Sequence, residues 1–119
     1  MKEIEERIYS FALKIVDLVK SMPRNMVSLE MGKQLLRSGT SIAANYEESR
    51  GAISRNDFIY KISLCFKESR ETNLWLRLIR DSNIFEGKKI EELIKESLEI
   101  RNILGKSLKT LREKKNPKS

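Results

Sequence analysis

The chain has 119 residues, a net charge of +7, a single cysteine and no histidine. Lacking histidine, it lacks the commonest general base and metal ligand, which excludes Ser/His/Asp and Cys/His nucleophilic chemistry and the usual Glu-x-x-His di-iron bundle. One cysteine excludes an intrachain disulfide, and no stretch approaches the roughly 20 apolar residues of a membrane span.

Leu, Ile, Glu, Lys and Arg dominate, with only two prolines and five glycines as breaks. The composition and length predict one all-α domain, an antiparallel up-down four-helix bundle over residues 1–113, followed by a basic tail at 114–119. The first predicted helix covers about 2–21, where Ile4, Ile8, Phe11, Ile15, Leu18 and Met22 recur at spacings of four and three. Its start is acidic and amphipathic rather than signal-like, so a cytoplasmic location is expected. Pro23 ends it, and Asn25 or Ser28 can cap the next.

The second predicted helix covers 26–50. Its stripe reads Leu29, Gly32, Leu36, Gly39, Ala43 and Tyr46, with Leu35 and Ile42 beside it, and is pinched at the glycines. Large side chains of the third helix, such as Phe58 and Phe66, are expected to fill that space. Gly51 supplies the C-terminal turn.

The third predicted helix covers 55–81, opened by a capping pair, Ser54 and Asp57. Phe58, Ile62, Cys65, Ser69, Leu76 and Ile79 form its core stripe, widened by Ile59 and Phe66. Tyr60, Leu64, Leu74, Trp75 and Leu78 lie on the opposite side. Leaving such residues in water forfeits about 1.5–3 kcal/mol each, so self-association through this face is expected. The alternative is a central third helix that buries both faces internally.

After a loop at 81–87, the fourth predicted helix covers 88–113, with Ile90, Leu93, Ile94, Ile100, Leu104, Leu108 and Leu111 inward. Positive charge concentrates here: residues 86–119 carry ten cations against six anions. Lys106, Lys109 and Arg112 drift round one side, and Lys114 and Lys115 extend the patch. Such a surface can neutralise RNA or DNA phosphates, the more so if an oligomer multiplies it. A modest positive balance that serves only solubility is the plainer reading. No zinc finger, recognition helix or aromatic stacking platform for bases stands out.

Glu47, Glu48, Glu68 and Glu71 are expected in helix-surface ion pairs, for example with Lys67 and Arg70, rather than on a metal. Cys65 reads as a buried small hydrophobe. No catalytic, metal or cofactor site is expected, and no small-molecule substrate is identified.

The stretch "QLLRSGTSIAANYEESRG" has an R-S-x-x-S-I-x-x-N core formed by Arg37, Ser38, Ser41, Ile42 and Asn45. Asn45 is expected to bond a neighbouring helix or the backbone and fix register. With "RNDFIYKISLCFKESRETNLWLRLI", which carries Asp57, Phe58, Ile62, Ser69, Glu71 and Leu76, it resembles the 23S ribosomal RNA intervening-sequence family. The resemblance covers the second and third helices closely and the outer two by length and pattern. Many relatives place a proline after Ser-Ile, where this chain has Ala43. The resemblance implies a four-helix bundle assembling as a homopentamer, with no enzymatic activity attached to it. A related accessory protein of diversity-generating retroelements forms a basic pentameric barrel that binds nucleic acid and a reverse transcriptase. Two partner classes follow: nucleic acid, or a protein partner on a scaffold without nucleic-acid contact.

Overall fold

The computed structural model describes residues 2–115, with the side chains of residues 2 and 115 left aside. Four helices make up the fold: α1 (Lys2–Lys20), α2 (Met26–Arg50), α3 (Arg55–Asp81) and α4 (Lys88–Lys115). Helix α4 runs two residues past the expected end at 113, so Lys114 and Lys115 continue it; the rest of the expected basic tail, residues 116–119, lies outside the described residues. The body is elongated, 54 × 23 × 22 Å.

The ends of the helices are set by local chemistry. Ser21 and Met22 donate backbone N–H groups to Leu18 and Val19 carbonyls at 3.0 and 3.2 Å, and Pro23 prevents another turn. Asn25, not Ser28, caps α2: its Oδ1 accepts from the Ser28 N–H at 3.0 Å. Ser54 accepts from the Asp57 N–H at 3.0 Å, and the Asp57 carboxylate reaches back to the Ile53 N–H at 3.2 Å. Gly51 closes α2 by donating to Glu48 at 3.0 Å with φ −102°, so the turn does not use a glycine-only conformation. Left-handed backbone appears instead in the α3–α4 connection, at Asn83 (φ 63°) and Gly87 (φ 112°).

Each helix packs against its sequence neighbours, and α1 also packs against α4. Residue numbers rise along α1 as they fall along α4, since Arg7 meets Glu96 and Glu99 while Asp17 meets Lys89. Among the described residues α3 touches α2 and α4 but not α1. It is therefore a corner helix, and the alternative of a central helix with both faces covered does not hold within one chain.

The core is continuous from Ile4 through Phe11, Ile15 and Leu18 to Leu35, Ile42, Leu76, Ile79, Ile90 and Ile100. The stripes expected for α1, α3 and α4 are buried, with Phe58, Phe66 and Leu111 only half-buried at the edges. Helix α2 differs. Leu29 and Leu36 are exposed, and the buried face is Ser28, Gly32, Leu35, Ser38, Gly39, Ile42 and Ser49. Close approach to α1 sets this rotation. A Cβ on Gly39 would stand 2.9 Å from Ile15 Cγ2, and one on Gly32 would meet Val19 and Met22. The glycines thus admit α1, not the α3 aromatics; Phe66 instead lies against Gly105 of α4.

Candidate nucleic-acid interface

Carboxylates and cations are sorted by seam. Between α1 and α4, the Arg7 guanidinium donates to Glu96 at 2.7 and 3.0 Å and to Glu99 at 2.7 Å, and Lys89 meets Asp17 at 2.6 Å. The ammonium of Lys89 holds the Asp17 carboxyl below the usual carboxylate range. Between α2 and α3, Arg37 bridges Glu68, at 3.3 Å, and Glu71, while Lys61 holds Glu48 at 2.8 Å. The hydrogen bond from Arg37 pulls the Glu71 carboxyl downward, aided by the Trp75 indole N–H at 3.2 Å. The expected pairing of Glu68 and Glu71 with Lys67 or Arg70 is therefore corrected: their ion-pair partner is Arg37, on another helix. Lys67 acts on Glu71 only at longer range.

The third seam, between α3 and α4, is different. Its register is given by Asn73 Nδ2 donating to Ser97 Oγ at 2.9 Å, by Phe66 against Gly105, and by Arg55 donating to the Leu111 carbonyl at 3.0 Å. Asn73 faces α4, so Arg70 and Arg77, three before and four after, stand on the same shoulder of α3. Arg77 Nε indeed donates to Asn73 Oδ1 at 2.8 Å. Gly105 faces α3, so Arg101 and Lys109, four residues to either side, share its shoulder of α4, with Arg112 one turn on. Lys109 and Arg112 line a depression with Phe66 and Gly105, and Arg101 lines a second one with the same two residues. Among the described residues none of Arg70, Arg77, Arg101, Lys109 and Arg112 has a carboxylate partner; the ion pair of this seam is made by Arg80 with Glu91, at 3.1 Å near the α3–α4 connection.

The expected basic cluster is thus divided. Lys109 and Arg112 belong to the α3–α4 seam. Lys106 also turns toward α1, lining a groove with Ile4 and Ile103. Lys114 is exposed on the last turn, and the side chain of residue 115 lies outside the described residues. Arg70, Arg77 and Arg101 were not anticipated at this surface, because their significance is the absence, among the described residues, of a carboxylate partner, which sequence spacing does not reveal.

On the outer face of α3, Tyr60, Leu74 and Leu78 are exposed, while Leu64 and Trp75 are half-buried, Trp75 packing against the core. Of the R-S-x-x-S-I-x-x-N residues, Arg37 is exposed in its ion cluster and Ile42 is fully buried. Ser38 is buried, hydrogen-bonded to Thr72, while Asn45 donates to the Ser41 carbonyl of its own helix at 2.9 Å. The link between helices is thus made by Ser38, and Asn45 takes the backbone option. Cys65 is buried, its thiol directed at the Ile42 carbonyl at 3.5 Å and pushed up to about 12 by burial. Among the described residues no group of three or more His, Cys, Asp or Glu could hold a metal ion, and no helix is long and apolar enough to cross a membrane.

The sequence matches the family described as 23S rRNA-intervening sequence protein over residues 2–106. No curated protein matches it. A crystal structure of a protein of unknown function from the S23 ribosomal protein family of Bacteroides thetaiotaomicron is similar, with 37% identity and a TM-score of 0.81. The likeness covers 89% of this chain and 98% of that one. With the family match spanning four helices and the solved relative sharing their arrangement, the chain belongs to the 23S rRNA-intervening sequence protein family.

Proposed function

We propose that the protein is a non-enzymatic, cytoplasmic homo-oligomer of up-down antiparallel bundles, a homopentamer by its family resemblance, that binds the phosphate backbone of nucleic acid. The observation that carries this reading is the stretch of the α3–α4 seam away from the Arg80–Glu91 pair, where, among the described residues, Arg70, Arg77, Arg101, Lys109 and Arg112 lack carboxylate partners. Unpaired cations aligned along a rigid rod attract a polyanion and release its counterions. Each subunit of an oligomer adds a further copy of that strip, and avidity multiplies a weak single contact. The up-down course is supported by the opposite numbering sense of the α1–α4 ion pairs. The apolar outer face of α3 supports subunit contact. The lack of histidine and the burial of Cys65 support the absence of catalysis.

The test is fluorescence anisotropy of labelled RNA and DNA across a salt series. Affinity is expected to fall steeply with salt, and Arg70→Gln with Arg101→Gln to weaken binding and flatten the slope by roughly one to two ions. Salt-independent affinity, or no binding at low salt, overturns the reading.

A second reading, a scaffold for a protein partner with no nucleic-acid contact, is favoured by one feature. Helix α4 runs on past the start of α1, leaving an apolar groove of about 400 Å³ lined by Ile4, Tyr46, Phe58, Ile62 and Leu111. A co-purified protein that survives nuclease treatment supports this reading over the first.

A further inference from the structure

Two apolar strips run along the outside of the bundle. The first follows the α1–α2 seam. Gly32 and Gly39 face α1, so Leu29, Leu36 and Ala43 share the shoulder of α2 beside them. Tyr9 lines a depression of about 460 Å³ with Ala43 and Glu47, and Leu13 stands one turn further along α1. Tyr9, Leu13, Leu29 and Leu36 are all exposed. The second strip is the outer face of α3, where Tyr60, Lys67 and Leu74 follow at heptad spacing and Leu78 lies one turn on, all exposed. The strips differ in charge. Glu6 and Glu47, exposed beside Tyr9, have no cation partner among the described residues, while the neighbouring Glu5 is bonded to Arg50. Lys20 stands at the other end of α1, about 16 Å from Tyr9 at 1.5 Å per residue. Lys67, midway along the α3 strip, has no carboxylate bonded to it among the described residues and acts on Glu71 only at longer range.

We infer that the α3 strip of one copy docks on the α1–α2 strip of the next, with Lys67 set against the Glu6–Glu47 end of its neighbour. The inference rests on the oligomer reading above and adds which faces meet. Both strips gain from being covered, since each is apolar and continuous. A twofold dimer centred on the α3 strip sets Lys67 against its own symmetry mate and leaves the α1–α2 strip in water. A twofold dimer through the α1–α2 strip gathers the Glu6 and Glu47 carboxylates of both copies and leaves the α3 strip in water. Pairing unlike strips covers both and joins opposite charges. Because α3 packs on α2 but not on α1, the strips point neither the same way nor straight apart. Successive copies therefore turn about a common axis and close a ring instead of running on as a straight fibre. Arg101, Lys109 and Arg112 of α4 lie outside both strips and stay free for phosphates.

The experiment mixes two variants, each with one strip broken, and reads mass by sedimentation velocity, with helical circular dichroism recorded for each. Tyr9→Glu with Leu13→Glu breaks the α1–α2 strip, and Leu74→Glu with Leu78→Glu breaks the α3 strip. All four side chains are exposed, so the core stays closed. Each variant alone is expected to sediment as a monomer. The equimolar mixture is expected to form a dimer of the two variants and nothing larger, because one intact α3 strip meets one intact α1–α2 strip and the series of contacts ends there. A variant that still assembles by itself, or a mixture that stays monomeric, overturns the pairing of unlike strips. Charge reversal tests the same contact without touching the apolar side chains. Lys67→Glu is expected to weaken association about tenfold, and Lys67→Glu with Glu6→Lys and Glu47→Lys in one chain to restore it. No restoration in the triple variant overturns the contact between Lys67 and the Glu6–Glu47 end. A wild type that is itself a monomer overturns the oligomer reading too, whereas an oligomer that none of these variants alters overturns only the choice of faces.

Discussion

The hydroxyls of Ser38 on α2 and Thr72 on α3 share a hydrogen bond of 3.0 Å, and neither side chain reaches solvent. Each also bonds backbone, Ser38 to Leu35 at 3.4 Å and Thr72 to Glu68 at 2.7 Å. Two buried hydroxyls fix the register of α2 on α3, because a one-turn slip would break the bond between them and leave each with only its own helix's carbonyl. A buried hydrogen bond of this kind contributes about 1 kcal/mol net, and an unsatisfied partner is more costly than the bond is favourable. Ser38→Ala and Thr72→Val are each expected to destabilise by roughly 1 kcal/mol. The double variant is expected to lose less than the sum of the two. A double-mutant cycle by urea denaturation checks this, and full additivity would show that the hydroxyls act separately.

The two core glycines of α2 predict opposite outcomes for the same substitution. At Gly32 an added Cβ meets Val19 Cγ1 at 3.5 Å, an ordinary contact, so Gly32→Ala is expected to gain up to about 1 kcal/mol from reduced backbone freedom in the unfolded chain. At Gly39 the Cβ would stand 2.9 Å from Ile15 Cγ2 and 3.1 Å from its Cγ1. Ile15 is fully buried and β-branched, so it has no free rotamer in which to retreat. Overpacking outweighs the helix gain, and Gly39→Ala is expected to lose roughly 1 kcal/mol net. Thermal midpoints of the two variants, one up and one down, check the assignment of Gly39 as the point of closest α1–α2 approach.

The contrast between these glycines also shows which parts of the fold are legible in the sequence. The four helices, three of the four buried stripes and the capping role of Ser54 follow from periodicity and cap chemistry alone. Helix α2 does not, because hydrophobicity ranks Leu36 above Ser38 for burial. What decides its rotation is a contact distance to α1 and a hydroxyl partner on α3, neither of which is local. The candidate interface divides in the same way. Lys109 and Arg112 stand out as part of a charge-rich helix end. Arg70, Arg77 and Arg101 look like ordinary surface cations until Glu68 and Glu71 are seen bonded to Arg37, 31 and 34 residues away.

Helix α3 being a corner element makes the oligomer reading sharply testable. Leu74 and Leu78 are 41% and 39% exposed and lie one turn apart, so glutamates there add charge without opening the core. Leu74→Glu with Leu78→Glu is expected to convert the oligomer to monomers in sedimentation velocity, with helical circular dichroism unchanged. Trp75 is a poorer probe, since its ring packs on the core and its N–H bonds Glu71, so replacing it perturbs the subunit as well. An unchanged sedimentation coefficient would remove this face from the interface.

The Arg37–Glu71 pair should make itself felt in acid. The Glu71 carboxyl is held below its ordinary value of 4.5, chiefly by the hydrogen bond from Arg37. The folded state therefore binds that proton less readily than the unfolded chain does. It follows that the stabilisation is fully present above about pH 4.5 and is lost as pH falls through the depressed folded value. The Arg37 side chain is 47% exposed, so water and salt screen the pair and its contribution is on the order of 0.5 kcal/mol. Glu71→Gln keeps the shape and the bond to the Trp75 indole but removes the charge. At neutral pH this variant is expected to be less stable than wild type by about that amount, and the gap is expected to close as pH falls through the depressed folded value. Added salt should narrow the neutral-pH gap. Urea titrations of both proteins at several pH values check the sign; a gap that widens toward acid would mean that Arg37 stabilises the fold through Glu68 or through packing of its stem rather than through the Glu71 carboxylate.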